Sequence, residues 1–265
     1  HPGGDFTLPG AELLRIEISS LDGDDLLIGG RGVDNINGGE GHDSAEFDYG
    51  NAEANVRLTA SQNIVQIQNR REAGSTESLM NIEAISVTTG PAWDAFRIDA
   101  LANAGVESVT INSGDGNSFI NAWSTDVAVN VFAGSDRDII WTGTANDEIH
   151  AGEGNDTVYS NSGDDIITKQ DGVGRIVAGN GNDDILVGGS SNVVFAGNGD
   201  DIVEITSGSS RVYGEAGDDT LVGSDSIDRF FGGTGNDVLF GMGGNDYLSG
   251  DSGNDIVDGG AGTDI

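Results

Sequence analysis

Aspartate recurs every nine residues through the second half of the chain. Fifteen positions share this register, and three of them, Gly174, Asn192 and Ser210, are not acidic. The other twelve are Asp138, Asp147, Asp156, Asp165, Asp183, Asp201, Asp219, Asp228, Asp237, Asp246, Asp255 and Asp264. Carboxylates held at a short fixed spacing repel one another unless a cation lies between them. The spacing therefore predicts a row of sites for hard cations.

A shorter block near the N-terminus has the same spacing. In the stretch "LDGDDLLIGGRGVDNINGGEGHDSAEF", Asp25, Asp34 and Asp43 lie nine residues apart. We take Asp25 and Asp43 as candidate metal ligands, together with the twelve aspartates of the long array.

An apolar residue follows each of the first fourteen positions of the long array two residues later, even where the aspartate is missing. These residues are Ile140, Ile149, Val158, Ile167, Ile176, Ile185, Val194, Val203, Val212, Leu221, Phe230, Leu239, Leu248 and Val257. A nine-residue period with one apolar residue is too short for a pair of helices, but it suits a turn of six residues and a strand of three. Two such units predict an all-β solenoid of 18-residue coils, stacked as parallel strands about 4.8 Å apart.

The turns also supply the oxygen ligands that calcium prefers. Stacking places each aspartate beside the one two units later, and the glycines of the turn leave backbone carbonyls uncovered. Calcium takes six to eight carboxylate and carbonyl oxygens in flexible geometry, whereas magnesium keeps its waters and demands a stricter octahedron. Calcium between successive turns is therefore the predicted cofactor.

The closing phrase "GGTGNDVLF GMGGNDYLS GDSGNDIVD GGAGTDI" resembles the RTX calcium-binding nonapeptide repeat, Gly-Gly-x-Gly-x-Asp-x-U-x. The resemblance implies a parallel β-roll with calcium between the turns of successive coils. It also implies that each site takes its ligands from two units that are one coil apart. Carried over to this chain, one site would use the carbonyls of Glu215, Gly217, Gly232 and Thr234 with the carboxylates of Asp219 and Asp237.

The two edges of such a roll differ in their aspartates. The units from Asp147 to Asp255 form one edge without a gap, which we call the all-Asp edge. The other, the interrupted edge, lacks aspartate at three consecutive units. Neighbouring pairs number six on the first edge and three on the second, so about nine or more calcium ions are expected. A continuous calcium row is predicted on the first edge, and a stretch without calcium on the second.

Composition excludes several classes of partner. The net charge is −34, from 45 acidic and 11 basic residues, which disfavours nucleic acid and anionic membrane surfaces. Cysteine is absent, so disulfide frameworks and thiolate metal sites are excluded. No apolar run is long enough to cross a bilayer, and membrane insertion is not expected.

The repeats divide the chain into four predicted parts. A lead-in (1–19) precedes the short repeat block (20–46), and the main roll (132–265) is expected to be truncated at its C-terminus, as in a fragment of a larger protein. Between the blocks, residues 47–131 carry alternating segments such as "NVRLTA" and "NIVQIQ". We expect this strand-rich segment to continue the solenoid with looser coils; a small independent insert is the alternative.

No arrangement of residues indicates catalysis. Adjacent acids such as Asp218 and Asp219 are explained by the period, and His42 and His150 are not accompanied by a nucleophile or zinc motif. The chain is therefore not expected to be an enzyme. Trp93, Trp123 and Trp141 are predicted to be packing or capping residues, with a surface platform for a sugar or a protein as the alternative.

Two functions fit the predicted calcium roll. The resemblance implies secretion by the type I route, folding outside the cell and an extracellular or cell-surface location. The first function is a scaffold or adhesive part of a surface protein, whose partner would be a cell-surface glycan or protein. The second is the C-terminal folding and export module of a secreted protease, lipase, lyase or epimerase.

Overall fold

A computed structural model describes residues 17–19, 22–29, 34–50, 54–61, 63–69 and 77–265. Most of the predicted lead-in, residues 1–16, lies outside these ranges. The described chain is a parallel β-solenoid of about 12 turns with about 18 residues per coil, which confirms the predicted fold class. Its only helical element within those ranges is a single 3₁₀ turn at Ala102–Ala104.

Two sheets form opposite sides of the coils. The described part of the wide sheet has fourteen strands. In spatial order they are β1 (Glu17–Ser19), β3 (Asn35–Asn37), β7 (Glu77–Met80), β6 (Ile64–Asn69), β5 (Asn55–Ser61), β9 (Asp94–Ile98), β11 (Ser118–Asn121), β13 (Ile139–Trp141), β15 (Thr157–Ser162), β17 (Val173–Asn180), β19 (Ser191–Asn198), β21 (Ser209–Ala216), β23 (Arg229–Thr234) and β26 (Tyr247–Ser252).

The narrow sheet has twelve strands among the same residues. They are β2 (Leu26–Gly29), β4 (Ser44–Asp48), β8 (Ala84–Thr88), β10 (Ser108–Asn112), β12 (Ala128–Phe132), β14 (Glu148–Gly152), β16 (Ile166–Lys169), β18 (Asp184–Val187), β20 (Ile202–Ile205), β22 (Thr220–Val222), β24 (Val238–Phe240) and β27 (Ile256–Asp258). A short pair, β25 (Gly243–Gly244) and β28 (Ala261–Gly262), joins two turns.

Strand pairing in the repeats follows the predicted period. In the wide sheet Ile140 pairs with Val158, and in the narrow sheet Ile167 pairs with Ile185. Both pairs are parallel, and each joins residues that are two nine-residue units apart in the sequence, so two units make one coil. The same shift joins Leu27 to Ala45 in the N-terminal block.

The coils between the two blocks are longer. In the narrow sheet, Ser44 of β4 pairs with Ala84 of β8. Ser108 of β10 in turn pairs with Ala84 on one side and with Ala128 of β12 on the other. The separation along the chain is therefore largest between β4 and β8 and decreases towards the repeat length.

The longest coil contains an antiparallel unit in which β6 pairs with both β5 and β7. This unit adds two strands to the wide sheet that have no counterpart in the narrow sheet.

The core of the main roll is built on one inward-facing apolar residue from each unit. The twelve such residues from Ile140 to Leu239 have no exposed surface. Leu248 is half-buried against the core, and Val257, in the last coil, is 47% exposed because no further described coil packs against it. No helix among the described residues is long and apolar enough to span a bilayer.

Candidate metal centre

The aspartates of the array stand at the ends of turns, directly before the strands. One oxygen of each accepts a backbone hydrogen bond from the preceding coil. The Asp147 N–H donates to Asp165 Oδ1 at 2.8 Å, and the Asp165 N–H donates to Asp183 Oδ1 at 2.9 Å. Successive coils are therefore joined by a ladder of carboxylates that is oriented along the stack.

The second oxygen of most of these carboxylates is buried without a hydrogen-bond partner. Among the described residues this holds for Oδ2 of Asp43, Asp138, Asp156, Asp165, Asp183, Asp201, Asp219, Asp237 and Asp246. A buried carboxylate oxygen with no donor costs free energy of folding. Nine such atoms at the predicted calcium positions fit a cation that contacts each of them.

Glycine at the start of the turn makes room for the carboxylate. A Cβ atom added to Gly214 would lie 2.2 Å from Asp219 Oδ2 and 2.5 Å from the carbonyl oxygen of Gly232. A Cβ added to Gly232 would lie 2.2 Å from Asp237 Oδ2. The carboxylate and the carbonyl of the next coil therefore occupy the space that a side chain would need.

The four carbonyls predicted for this site belong to two facing turns. A Cβ added to Gly233 would lie 2.1 Å from the Glu215 carbonyl oxygen, and one added to Gly235 would lie 1.9 Å from that of Gly217. Thr234 O accepts the Gly217 N–H at 2.9 Å. The carbonyls of both turns thus face the gap between the coils, where the two carboxylates also lie.

The donor set suits a hard cation. The described residues contain no group of three or more His, Asp or Glu side chains that could hold a metal, so any metal here would depend on backbone carbonyls for most of its ligands. A mixed set of carbonyls and carboxylates is the chemistry of calcium rather than of zinc or other soft metals. The residues present therefore fit the predicted calcium.

Burial raises the pKa of these aspartates well above the ordinary value. The pKa of Asp138 is raised to about 8, those of Asp165 and Asp201 to about 7, and those of Asp156, Asp183 and Asp219 to about 6. Desolvation of the charged form is the main cause. Without a bound cation, these carboxyls therefore bind protons more tightly in the fold than in the unfolded chain.

We expect acid to stabilise the metal-free fold and to weaken calcium binding. Folded-state pKa values of about 6 to 8 exceed the unfolded value of about 4, so the metal-free fold binds more protons. Its free energy of unfolding should fall as pH rises through this window. In chelator, circular dichroism should show more β structure at about pH 5 than at about pH 8.

Calcium binding should weaken as the pH falls, because protons compete with calcium for the same carboxylates. The calcium concentration at the folding midpoint should rise as the pH falls. A chelated spectrum that stays constant between these pH values, or a calcium midpoint that falls with acid, would contradict this assignment.

The ladder of carboxylates distinguishes the two edges. On the all-Asp edge it runs without a break from the Val129 N–H, which Asp147 accepts, to Asp255, which accepts from Asp237. On the interrupted edge it stops at Asp156 and resumes where Ser210 N–H donates to Asp228 Oδ1 at 2.7 Å. The gap coincides with the three units that lack aspartate.

The N-terminal block has the same ladder, and it extends into the central segment. The Asp25 N–H donates to Asp43 Oδ1 at 2.9 Å, and the Asp43 N–H donates to Glu83 Oε2 at 2.7 Å. Asp94 likewise accepts the Ala54 N–H at 2.6 Å. Glu83 and Asp94 were not among the predicted site residues, because their coils are longer than those of the repeats.

The remaining candidates lie away from this ladder. His42 contacts Glu107 at the surface, and His150 lies between Glu148 and Thr168. Trp93 and Trp123 are 44% and 49% exposed, so they are less buried than packing residues would be. Trp123 lines an open pocket of about 410 Å³ with Asn121, Trp141 and Tyr159 on the outer face of the wide sheet.

Comparison with protein families gives a match over more than half of the chain. The family model described as the RTX calcium-binding nonapeptide repeat (4 copies) matches residues 18–45, 132–167, 171–204, 206–230 and 231–265. A comparison with curated proteins found none similar to the chain. The matched ranges contain every aspartate proposed above as a metal ligand.

Proposed function

This chain belongs to the RTX calcium-binding nonapeptide-repeat family, and from that premise we propose that it is the calcium-loaded β-roll of a larger secreted bacterial protein. RTX repeats bind calcium and form a structural module typical of secreted proteins. The single observation that supports the proposal most strongly is the set of nine buried carboxylate oxygens without hydrogen-bond partners.

The proposed ligands are the fourteen aspartates of the two blocks. Each full site would take two carboxylates from turns that are one coil apart, as at Asp219 and Asp237, and carbonyls from the same two turns. This arrangement gives about nine or more ions. When bound, calcium would neutralise carboxylates that otherwise repel one another along each edge.

Calcium would also determine where the protein folds. A chain of net charge −34 resists compaction when no counter-ion is bound. Low calcium inside the cell would keep the chain extended for export by the type I route, and higher calcium outside would order it. An extracellular or cell-surface location follows from this route.

We further propose that the roll serves as a scaffold or adhesive part rather than as an enzyme. The exposed aromatic pocket of Trp123, Trp141 and Tyr159, with the amide of Asn121 at its edge, offers ring faces and a hydrogen-bonding group. The strongly acidic chain would repel anionic ligands, so a neutral cell-surface glycan fits this pocket better than an anionic one. Retention on a neutral polysaccharide, lost in Trp123→Ala, tests this role.

An export module of a secreted hydrolase, lyase or epimerase is the second candidate, because the same calcium-dependent roll would serve either protein. A catalytic motif elsewhere in the parent protein would favour it. Binding of a glycan or a protein by the isolated roll would favour the scaffold.

Two adjacent acids provide a matched test of the proposed sites. Asp219 has a buried oxygen without a partner, whereas Asp218 is exposed and accepts the Asn236 N–H at 2.6 Å. Native mass spectrometry should find fewer calcium ions on Asp219→Asn than on the wild type, and an unchanged number on Asp218→Asn. The two variants remove the same charge. Equal calcium counts for both, or no calcium on the wild type, would refute the proposed function.

A further inference from the structure

The interrupted edge differs from the rest of the array at a second position. We call the fifteen positions of the nine-residue aspartate spacing the register positions. The repeat begins five residues before each of them, and this first residue is glycine, alanine, serine or threonine in all twelve units that contain aspartate. The three units without aspartate have Lys169, Val187 and Ile205 instead. A large side chain at the start of the turn therefore accompanies the loss of the carboxylate.

These three side chains are stacked in the interior. Lys169 pairs with Val187 in the narrow sheet, and Val187 pairs with Ile205. Their exposed fractions are 2%, 0% and 1%. They lie where the turns of other units have a small residue against a carboxylate oxygen, as Gly214 has against Asp219. We call the gap between the turns of two successive coils on one edge a level. At three levels of the interrupted edge, these side chains fill the space beside the turns, whereas calcium is proposed between the turns at other levels.

Lys169 contacts two groups that correspond to proposed calcium ligands. Its Nζ donates to the carbonyl oxygen of Asp171 at 2.5 Å and lies 3.9 Å from Asp156 Oδ2, and both charged side chains are fully buried. Asp156 occupies the register position of one unit, and Asp171 the third position of the unit one coil further on. Asp219 and Thr234 occupy the same two positions in the site on the all-Asp edge.

We propose that the ammonium group of Lys169 replaces a calcium ion between the turns of Asp156 and Gly174, so that this level of the roll is cross-linked by a cation from the chain itself. The inference rests on the proposed function, because it assigns this level a role within a calcium-binding array. Lys169 is the only lysine in the sequence.

The charges at each level agree with this assignment. A full site is flanked by two carboxylates, and a carboxylate inside a row flanks two sites. The level between Asp156 and Gly174 has one carboxylate and one ammonium. The next two levels have no carboxylate at the register positions, and there Val187 and Ile205 supply only methyl groups. The proposed cationic charge thus decreases with the number of flanking carboxylates, from calcium to ammonium to none, because unbalanced charge in a buried interior is costly.

A lysine at position 169 and an aspartate at position 174 would compete for the same space. A Cβ atom added to Gly174 would lie 2.5 Å from Lys169 Cδ and 2.7 Å from Lys169 Cε. An aspartate at position 174 and a lysine at position 169 therefore cannot both be accommodated without a shift. The level can contain the lysine, or the second carboxylate that calcium needs.

Further along the edge, an amide closes the turn. Asn192 Nδ2 donates to the carbonyl oxygen of Gly188 at 3.1 Å. Gly188 is at the second position of its unit, where a carbonyl would be a calcium ligand in a complete site. Side-chain donors thus bond to turn carbonyls in two neighbouring units of this edge, those of Gly174 and Asn192.

The double variant Lys169→Gly/Gly174→Asp restores the repeat at both positions and should create a calcium site. Native mass spectrometry of the calcium-saturated chain should show one more calcium ion per molecule than the wild type. Arg175→Glu is the matched control, because it changes the charge by the same two units at an exposed position beside the same turn without opening the buried space. A folded double variant with the wild-type calcium count would overturn the proposal.

A crystal structure of the wild type in calcium tests the same point without relying on the folding of a variant. Anomalous scattering should locate calcium between Asp219 and Asp237 and none between Asp156 and Asp171. A calcium peak at the Lys169 level, with peaks elsewhere, would overturn this inference but leave the proposed function standing. Absence of calcium at every level would overturn the proposed function itself.

Discussion

In chelator at neutral pH, the chain will give the circular dichroism spectrum of a disordered polypeptide, and calcium on the order of 1 mM will convert it to a β-rich fold. Most nine-residue units of the repeats bury only one large apolar side chain. Fixing the backbone costs roughly 1–2 kcal/mol per residue, which so small a core does not offset. The buried carboxylates add repulsion and desolvation.

Calcium changes this balance because its sites exist only in the folded chain, so its binding free energy contributes directly to folding. Magnesium at the same concentration is the control, and it should leave the chain largely disordered because it gives up its waters reluctantly. Size-exclusion chromatography should show compaction over the same calcium range. A chelated sample with the β spectrum and a sharp unfolding transition would refute the prediction.

Replacing Ile185 with aspartate should cost more than about 4 kcal/mol of stability in calcium. Ile185 has no exposed surface and lies between Ile167 and Val203 of the neighbouring coils. An aspartate there would be a buried charge without a partner. The damage should extend to adjacent coils, because each coil is stabilised only by its neighbours. Denaturant unfolding at saturating calcium measures the loss.

The next residue provides a control with the same chemistry. Leu186 is 39% exposed on the outer face, so Leu186→Asp should cost no more than about 1 kcal/mol. Asn182→Ala is a second control, since Asn182 Oδ1 only accepts an exposed hydrogen bond from the Asp200 N–H at 2.9 Å. A loss of stability for Leu186→Asp as large as that for Ile185→Asp would show that Ile185 is wrongly assigned to the inward face.

The repeat spacing predicts most of the main roll correctly. The period of nine places Ile140 and Val158 at the same depth in adjacent coils, and the structure pairs them. The prediction works because the glycines and aspartate of the turn and the apolar residue of the inward face recur at the same nine-residue spacing. The interrupted edge could likewise be predicted from Gly174, Asn192 and Ser210 alone.

The coils without the repeat were less predictable. The antiparallel unit of β5, β6 and β7 has alternating residues like those of any strand, so its sequence predicts strands but not their direction or partners. Glu83 and Asp94 continue the ladder 40 residues beyond their partners. An acid two residues before a buried apolar residue, as in Glu83 and Ile85, was the local signal that could have identified them.

The role of Lys169 needed the structure. Lysine in an acidic chain is ordinarily explained as a solvated counter-charge, and the period alone does not show that its side chain is buried. Only the distances to Asp156 and Asp171 identify it as a substitute for a metal.

The long coil between β4 and β8 has a kinetic consequence. Closing a loop costs entropy that grows with its length, by about 0.6 kcal/mol for each doubling. The ladder contact from Asp43 to Glu83 spans 40 residues, whereas the contact from Asp147 to Asp165 in the repeats spans 18 residues. The hairpin of β5 and β6 forms from neighbouring residues and can fold early by itself. We therefore expect the solenoid to fold from two nuclei, one in each repeat block. The pairing of β4 with β8 should form last.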